Sequence, residues 1–175
     1  TELKILILFR VPDGDTFESL VLASPGYHQA YLGMRHELLE YIVKQQYSGF
    51  LDLAEALTAV RSKGVHFTFQ RENAIALLDN WRRKDEIHEK ERASSNRLYE
   101  PSSLEELIKL FRLHKMFRFF LEDYSINAPR PPWIQPVQWE KNILPLHLSF
   151  SEKRRFLRAM CRLQILKNIF GDPVQ

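Results

Sequence analysis

Three times along this chain a small polar residue is followed three positions later by glutamate, with an apolar run close behind: Asp15 with Glu18, Ser103 with Glu106, and Ser149 with Glu152. This is the spacing of a capping box. The first side chain accepts from an orphan backbone N–H of the helix, and the glutamate reaches back to the first residue's own N–H. A chain that signals helix starts so often, and that holds only six glycines in 175 residues, is poorly supplied for the turns of an all-β fold. The apolar residues recur at three- and four-residue intervals rather than alternating. The expectation is an all-α fold, an irregular bundle of six to seven helices with a proline-rich loop, and under about a tenth of the residues in strands.

The first helix is expected over Glu2 to Val11, stopped by Pro12-Asp13-Gly14. Asp15 and Glu18 open a short second one, Thr16 to Ala23. Ser24-Pro25 starts a long third, running to about Tyr47, with Tyr27, Tyr31, Met34, Leu38 and Ile42 on one face. Leu51, Ala54, Leu57 and Val60 give a fourth, ended near Gly64. Ala74 to Lys84 gives a fifth, with Ile75, Leu78 and Trp81 as its stripe, and the second half of the charged run from Arg82 to Arg97 is expected as a surface loop. Leu104 to about Tyr124 is apolar over more than one face and is expected at the centre of the core. Pro129 to Pro136 cannot be helix interior or central strand. Its Pro129-Arg130-Pro131-Pro132 is a minimal PxxP, but Trp133, Ile134 and Trp139 beside it favour a loop that folds back on the helices. The last helix ends at Phe170, with Gly171 as its cap. Phe156, Ala159, Met160, Leu163, Leu166 and Phe170 are expected as its core stripe, meeting Phe111, Phe117 and Phe120 of the long helix.

Composition narrows the function classes. The hydrophobic share is 45% and the charged share 27%, which is ordinary globular chemistry. A net charge of +3, with both signs interspersed, does not announce nucleic acid. The single cysteine, Cys161, rules out an internal disulfide and suits a reducing compartment, cytosol or nucleus. No stretch approaches the roughly 20 apolar residues that span a bilayer. Thr1 to Leu8 lacks the basic start and cleavage site of a signal peptide. The chain begins without Met and reads as a trimmed product whose first element is already under way.

The residues that could carry chemistry are few. No glycine-rich phosphate loop and no nucleophile elbow occurs. His36-Glu37-Leu38-Leu39-Glu40 lacks the second histidine one turn on that would grip a metal, and reads as a solvated helix face. His114 reads as a packed or edge histidine, and Cys161 as a buried structural thiol. Arg155, Arg158 and Arg162 line one side of the last helix. They read first as a solvated or ion-paired flank, and second as an anionic-ligand patch for protein or RNA. No catalytic residue, metal ligand or cofactor is assigned.

The ends of the chain say more. Glu2-Leu3 matches the acidic-leucine pair of an F-box, Ile7-Leu8 its Ile-Leu pair, Phe17 and Leu20 its leucines, and Ala23-Ser24 its small-residue and serine ending. The stretch from Leu22 to Leu32, the helix of His114 with Phe120 to Tyr124, and the stretch from Arg155 to Gly171 resemble a large group of fungal F-box-like proteins. This resemblance implies two regions packed as one unit, an F-box-like helical segment over 1–47 and a helical C-terminal region over 48–175. It also implies that Leu3, Ile7, Leu8, Phe17 and Leu20 contact a Skp1-type adaptor, which joins F-box proteins to a cullin ubiquitin ligase. Two other readings stand beside it. One is a helical scaffold fixed in a larger assembly without a ubiquitin link. The other, ranked lower, is a nucleic-acid binder using the basic last helix.

Overall fold

The computed structural model describes residues 2–49, 51–83 and 99–171. Among them it contains nine α-helices, one π-helical turn and no strand. The helices are α1 (Glu2–Arg10), α2 (Gly14–Ala23), α3 (Pro25–Gly33), α4 (Arg35–Tyr47), α5 (Leu53–Arg61), α6 (Arg71–Arg82), α7 (Leu104–Asn127), α8 (Pro136–Gln138) and α9 (Phe150–Phe170). The count exceeds six to seven for two reasons. The expected long third helix breaks at Met34, whose φ and ψ of −135° and 37° leave the helical region just after Gly33, a poor helix former. Pro136, excluded from a helix interior, instead occupies the first turn of the short α8, where its missing N–H costs nothing.

The capping boxes are partly as expected. Ser149 and Glu152 form the complete reciprocal pair at the start of α9. Ser103 Oγ accepts from the Glu106 N–H at 3.2 Å, but the Glu106 carboxylate turns to Ser102 and Arg61 instead of Ser103. The α2 cap is Asp13 rather than Asp15: its carboxylate accepts from the Thr16 N–H at 2.8 Å and the Thr16 hydroxyl at 2.9 Å. Gly14 can therefore lead the helix, and it must be small: a Cβ there would lie 2.0 Å from Gln46 Nε2 and 2.7 Å from a Phe111 ring carbon. Helix α6 begins at Arg71, three residues earlier than expected, and buries Ala74 while leaving Ile75 outside. The charged run's second half lies outside the described residues.

One continuous core joins α1, α2, α3, α4, α5, α7 and α9 through Leu8, Phe17, Ala30, Leu38, Ile42, Leu57, Leu107, Leu110, Phe117 and Cys161. Helices α4 and α5 each pack on α7, α9 lies across α5 and α7, and α1 and α2 pack on α3. A smaller cluster of Ala59, Ala74, Ile165 and Ile169 ties α6 to α5 and α9. The Tyr47 hydroxyl donates to the Leu110 carbonyl at 2.8 Å inside the main core. The proline-rich loop folds back through Trp139, which is buried and donates from its indole N–H to the Ala128 carbonyl at 3.1 Å, whereas Trp133 stays in solvent.

Helix α9 turns a different face inward from the one expected. Its buried residues are Leu157, Cys161, Ile165 and Ile169, at four-residue spacing. Leu163, Leu166 and Phe170, expected inside, are exposed, and so is Phe120 on α7. Packing against α5 and α7 selects one of two apolar stripes that α9 carries.

Candidate protein-interaction surface

The F-box-like residues divide between the two sides of α1 and α2. Leu8 and Phe17 are core residues. Phe17 meets the Tyr31 ring edge-on at 5.8 Å, and Phe9 meets Tyr41 in the same manner at 5.3 Å, so both helices are anchored to α3 and α4. Leu20 is half-buried against the same core. On the outer side Leu3 is 75% exposed and Ile7 46% exposed. Leu6, 60% exposed, joins them at the three- and four-residue spacing that stacks side chains on one helix face. Together with Arg10, Val11, Thr16 and Leu20 they line an open apolar groove of about 430 Å³ between the two helices. Sequence reading alone missed Leu6, although its position three residues after Leu3 puts it on that face.

The arginines of α9 divide as well. Glu55 is 1% exposed, in the first turn of α5 and flanked by the buried Ala54 and Ala56. Arg158 donates to both its oxygens at 3.2 Å, and Arg162 donates to Oε1 at 3.4 Å. Arg162 also stacks on Trp81, 5.9 Å from the ring centre. The bidentate pair raises the Arg158 pKa above its ordinary value. Arg155 is exposed and lies near Glu152. Two of the three therefore hold α9 to α5. Glu55 went unnoticed in the sequence, though an acid inside an apolar helix calls for a cationic partner.

The remaining titratable groups have structural surroundings. His36 faces Glu40 at 3.9 Å on the outer side of α4. His114 is buried edge-on against Tyr47, and burial, with Arg118 nearby, pushes its pKa down to about 4. The Cys161 thiol is buried, and loss of solvent, followed by Glu55, raises its pKa far above the range in which a thiolate forms. A cleft of about 550 Å³ opens beside His114, between the start of α2, the end of α4, α7 and residues 146–148. Its opposite charges offset one another, since Arg118 is bound by Asp15 and Glu122, so it selects no ligand class. Among the described residues no group of three His, Cys, Asp or Glu is arranged to hold a metal, and no helix is long and apolar enough to cross a membrane.

Comparisons with protein-family profiles, curated proteins and solved structures find no match to this chain. The F-box resemblance stands on the residues quoted for it.

Proposed function

We propose that this chain is a non-enzymatic protein-interaction module of the cytosol or nucleus, F-box-like in type, which docks a Skp1-type adaptor on the outer face of α1 and α2. The observation that carries the reading is the exposed stripe of Leu3, Leu6 and Ile7 on a helix whose opposite side is sealed into the core by Leu8. Apolar anchors of this kind supply most of the energy of a helix-in-groove contact. Isolated helices of nine or ten residues are marginal in water. Here the core fixes both, so the groove is presented in a set shape and little ordering is required on binding.

A second reading draws on the burial of Leu8 and Phe17. With those two positions inside, the contact available to an adaptor shrinks to Leu3, Leu6, Ile7 and Leu20. The same face then also suits a scaffold that holds one different protein in a fixed assembly. Co-purification of the full-length chain separates the two. The adaptor reading expects Skp1 in the eluate, lost in a Leu3→Glu/Ile7→Glu variant whose circular dichroism is unchanged. A single stoichiometric partner other than Skp1, lost in the same variant, replaces it with the scaffold reading.

A further inference from the structure

Helix α9 has a second apolar stripe that the fold leaves uncovered. Leu163, Leu166 and Phe170 are 59%, 54% and 52% exposed. They recur at i, i+3 and i+7, one continuous ridge about 10 Å long at 1.5 Å per residue. The ridge extends beyond the helix, because the Phe170 ring lies 5.3 Å from Phe67, and Arg71 stacks on Phe67 at 5.6 Å. On a helical wheel Arg155 borders one edge of the stripe and Lys167 the other, with Arg162, which Glu55 holds, beside Arg155. The acid on this face, Glu152, sits in the first turn and is taken up by the Ser149 cap. Lys167 and Arg71 make no ion pair among the described residues.

We propose that the outer face of α9 docks an amphipathic helix of another protein, one whose apolar stripe is bordered by Asp and Glu. The fold needs only the inner stripe of Leu157, Cys161, Ile165 and Ile169 to hold α9 in place. Among the described residues Leu163 and Leu166 pack against neither core cluster and Phe170 adds only its ring contact with Phe67, so this exposed apolar ridge is an aggregation hazard of the kind that marks an interaction surface. Spacing at i, i+3 and i+7 is that of anchors in a helix-to-helix contact. A rim of one sign selects a partner of the opposite sign and speeds its encounter. The ridge is narrow, unlike the broad apolar face that sinks into a lipid interface. This surface lies on a different element from the α1–α2 groove and does not depend on the adaptor reading.

The test presents the full chain with a display library of amphipathic helical peptides whose flanking positions vary among acidic, neutral and basic residues. Recovered peptides should carry acidic flanks and bind more weakly as salt rises. Leu163→Ser/Leu166→Ser and Arg155→Glu/Lys167→Glu should each weaken binding about tenfold or more. Circular dichroism should be unchanged in both, since all four side chains are exposed. Leu3→Glu/Ile7→Glu should bind the same peptides as the parent chain. Vesicles containing phosphatidylserine should leave the protein in the supernatant. Recovery of no peptide, flanks without acidic preference, affinity indifferent to both α9 variants, or vesicle binding lost in those variants would each overturn the proposal.

Discussion

Replacing Arg158 by Met keeps the apolar stem and removes the bidentate contact to Glu55, whose carboxylate is 1% exposed. Breaking a buried ion pair from one side costs about 3–5 kcal/mol, because the remaining charge stays desolvated. Arg158 is 41% exposed and Arg162 still reaches Glu55 at 3.4 Å, so water and a second cation recover part of that loss. The expected cost is roughly 2–3 kcal/mol. That corresponds to a fall in Tm of roughly 4–12 °C for a chain of this size. Glu55→Gln in the parent chain should cost less, about 1 kcal/mol, since the freed arginines turn to solvent. Placed in the Arg158→Met background, Glu55→Gln should restore at least about half of the loss. Urea unfolding followed by circular dichroism on all four proteins gives the cycle directly. An Arg158→Met cost under about 0.5 kcal/mol, or a double variant less stable than Arg158→Met alone, would show that Glu55 does not depend on Arg158 for its charge compensation.

The register of α9 predicts that Ile165→Ala costs about 2–5 kcal/mol while Leu166→Ala costs under about 1 kcal/mol, read by the same unfolding assay. Phe117→Ala should likewise cost about 3–5 kcal/mol, and Phe120→Ala far less, because Phe117 is buried and Phe120 faces solvent. Gly14→Ala should destabilise by about 1–3 kcal/mol, the cost of forcing a methyl against Gln46 and Phe111, and a neutral result would show that Gln46 swings aside freely. Stability should fall in two acid steps. His114, with a folded pKa of about 4 against an ordinary 6.5, takes up its proton more readily when unfolded, so stability is lost as pH drops from 6.5 towards 4. Glu106, held down to about 2 first by its hydrogen bond from Arg61, gives stability above 4.5 that is lost as pH falls towards 2. Denaturation curves across this range should lose the upper step in His114→Gln and show a smaller lower step in Glu106→Gln, with Asp13 and Glu152, also held below the usual carboxylate range by their cap hydrogen bonds, supplying the remainder.

What was legible in the sequence was local. Ser149 and Glu152 satisfy each other within one turn, so the start of α9 needed no tertiary information. The α2 cap was harder, because Asp13 and Asp15 flank Gly14 and either could serve. Close packing of Gln46 and Phe111 around Gly14 accompanies the choice of Asp13. The all-α class followed from helix signals that recur along the chain, and the structure has that class, with the break at Met34 adding a helix. The inward face of α9 was not legible. Its two apolar stripes lie side by side on one helix, and the choice between them is made by α5 and α7, far away in sequence. The same limit applied to α1. The alternation of Leu3, Leu6, Ile7 and Leu8 is visible in the sequence, but only the position of α3 and α4 decides that Leu8 is buried and the other three are not. An acid among the apolar residues of α5 was a visible signal, but which cations meet Glu55 was out of reach, since its two arginines come from a helix about a hundred residues away.

The proposed docking of a Skp1-type adaptor on the outer face of α1 and α2 can be measured by calorimetric titration of purified adaptor into the folded full-length chain. Saturable one-to-one binding with a negative heat-capacity change, the mark of apolar burial, is expected. Binding should disappear in Leu3→Glu/Ile7→Glu while the stability of the fold stays within about 1 kcal/mol of the parent chain. A stably folded chain that takes up no adaptor, or one that binds it equally well with Leu3 and Ile7 replaced, would show that this face does not dock a Skp1-type adaptor.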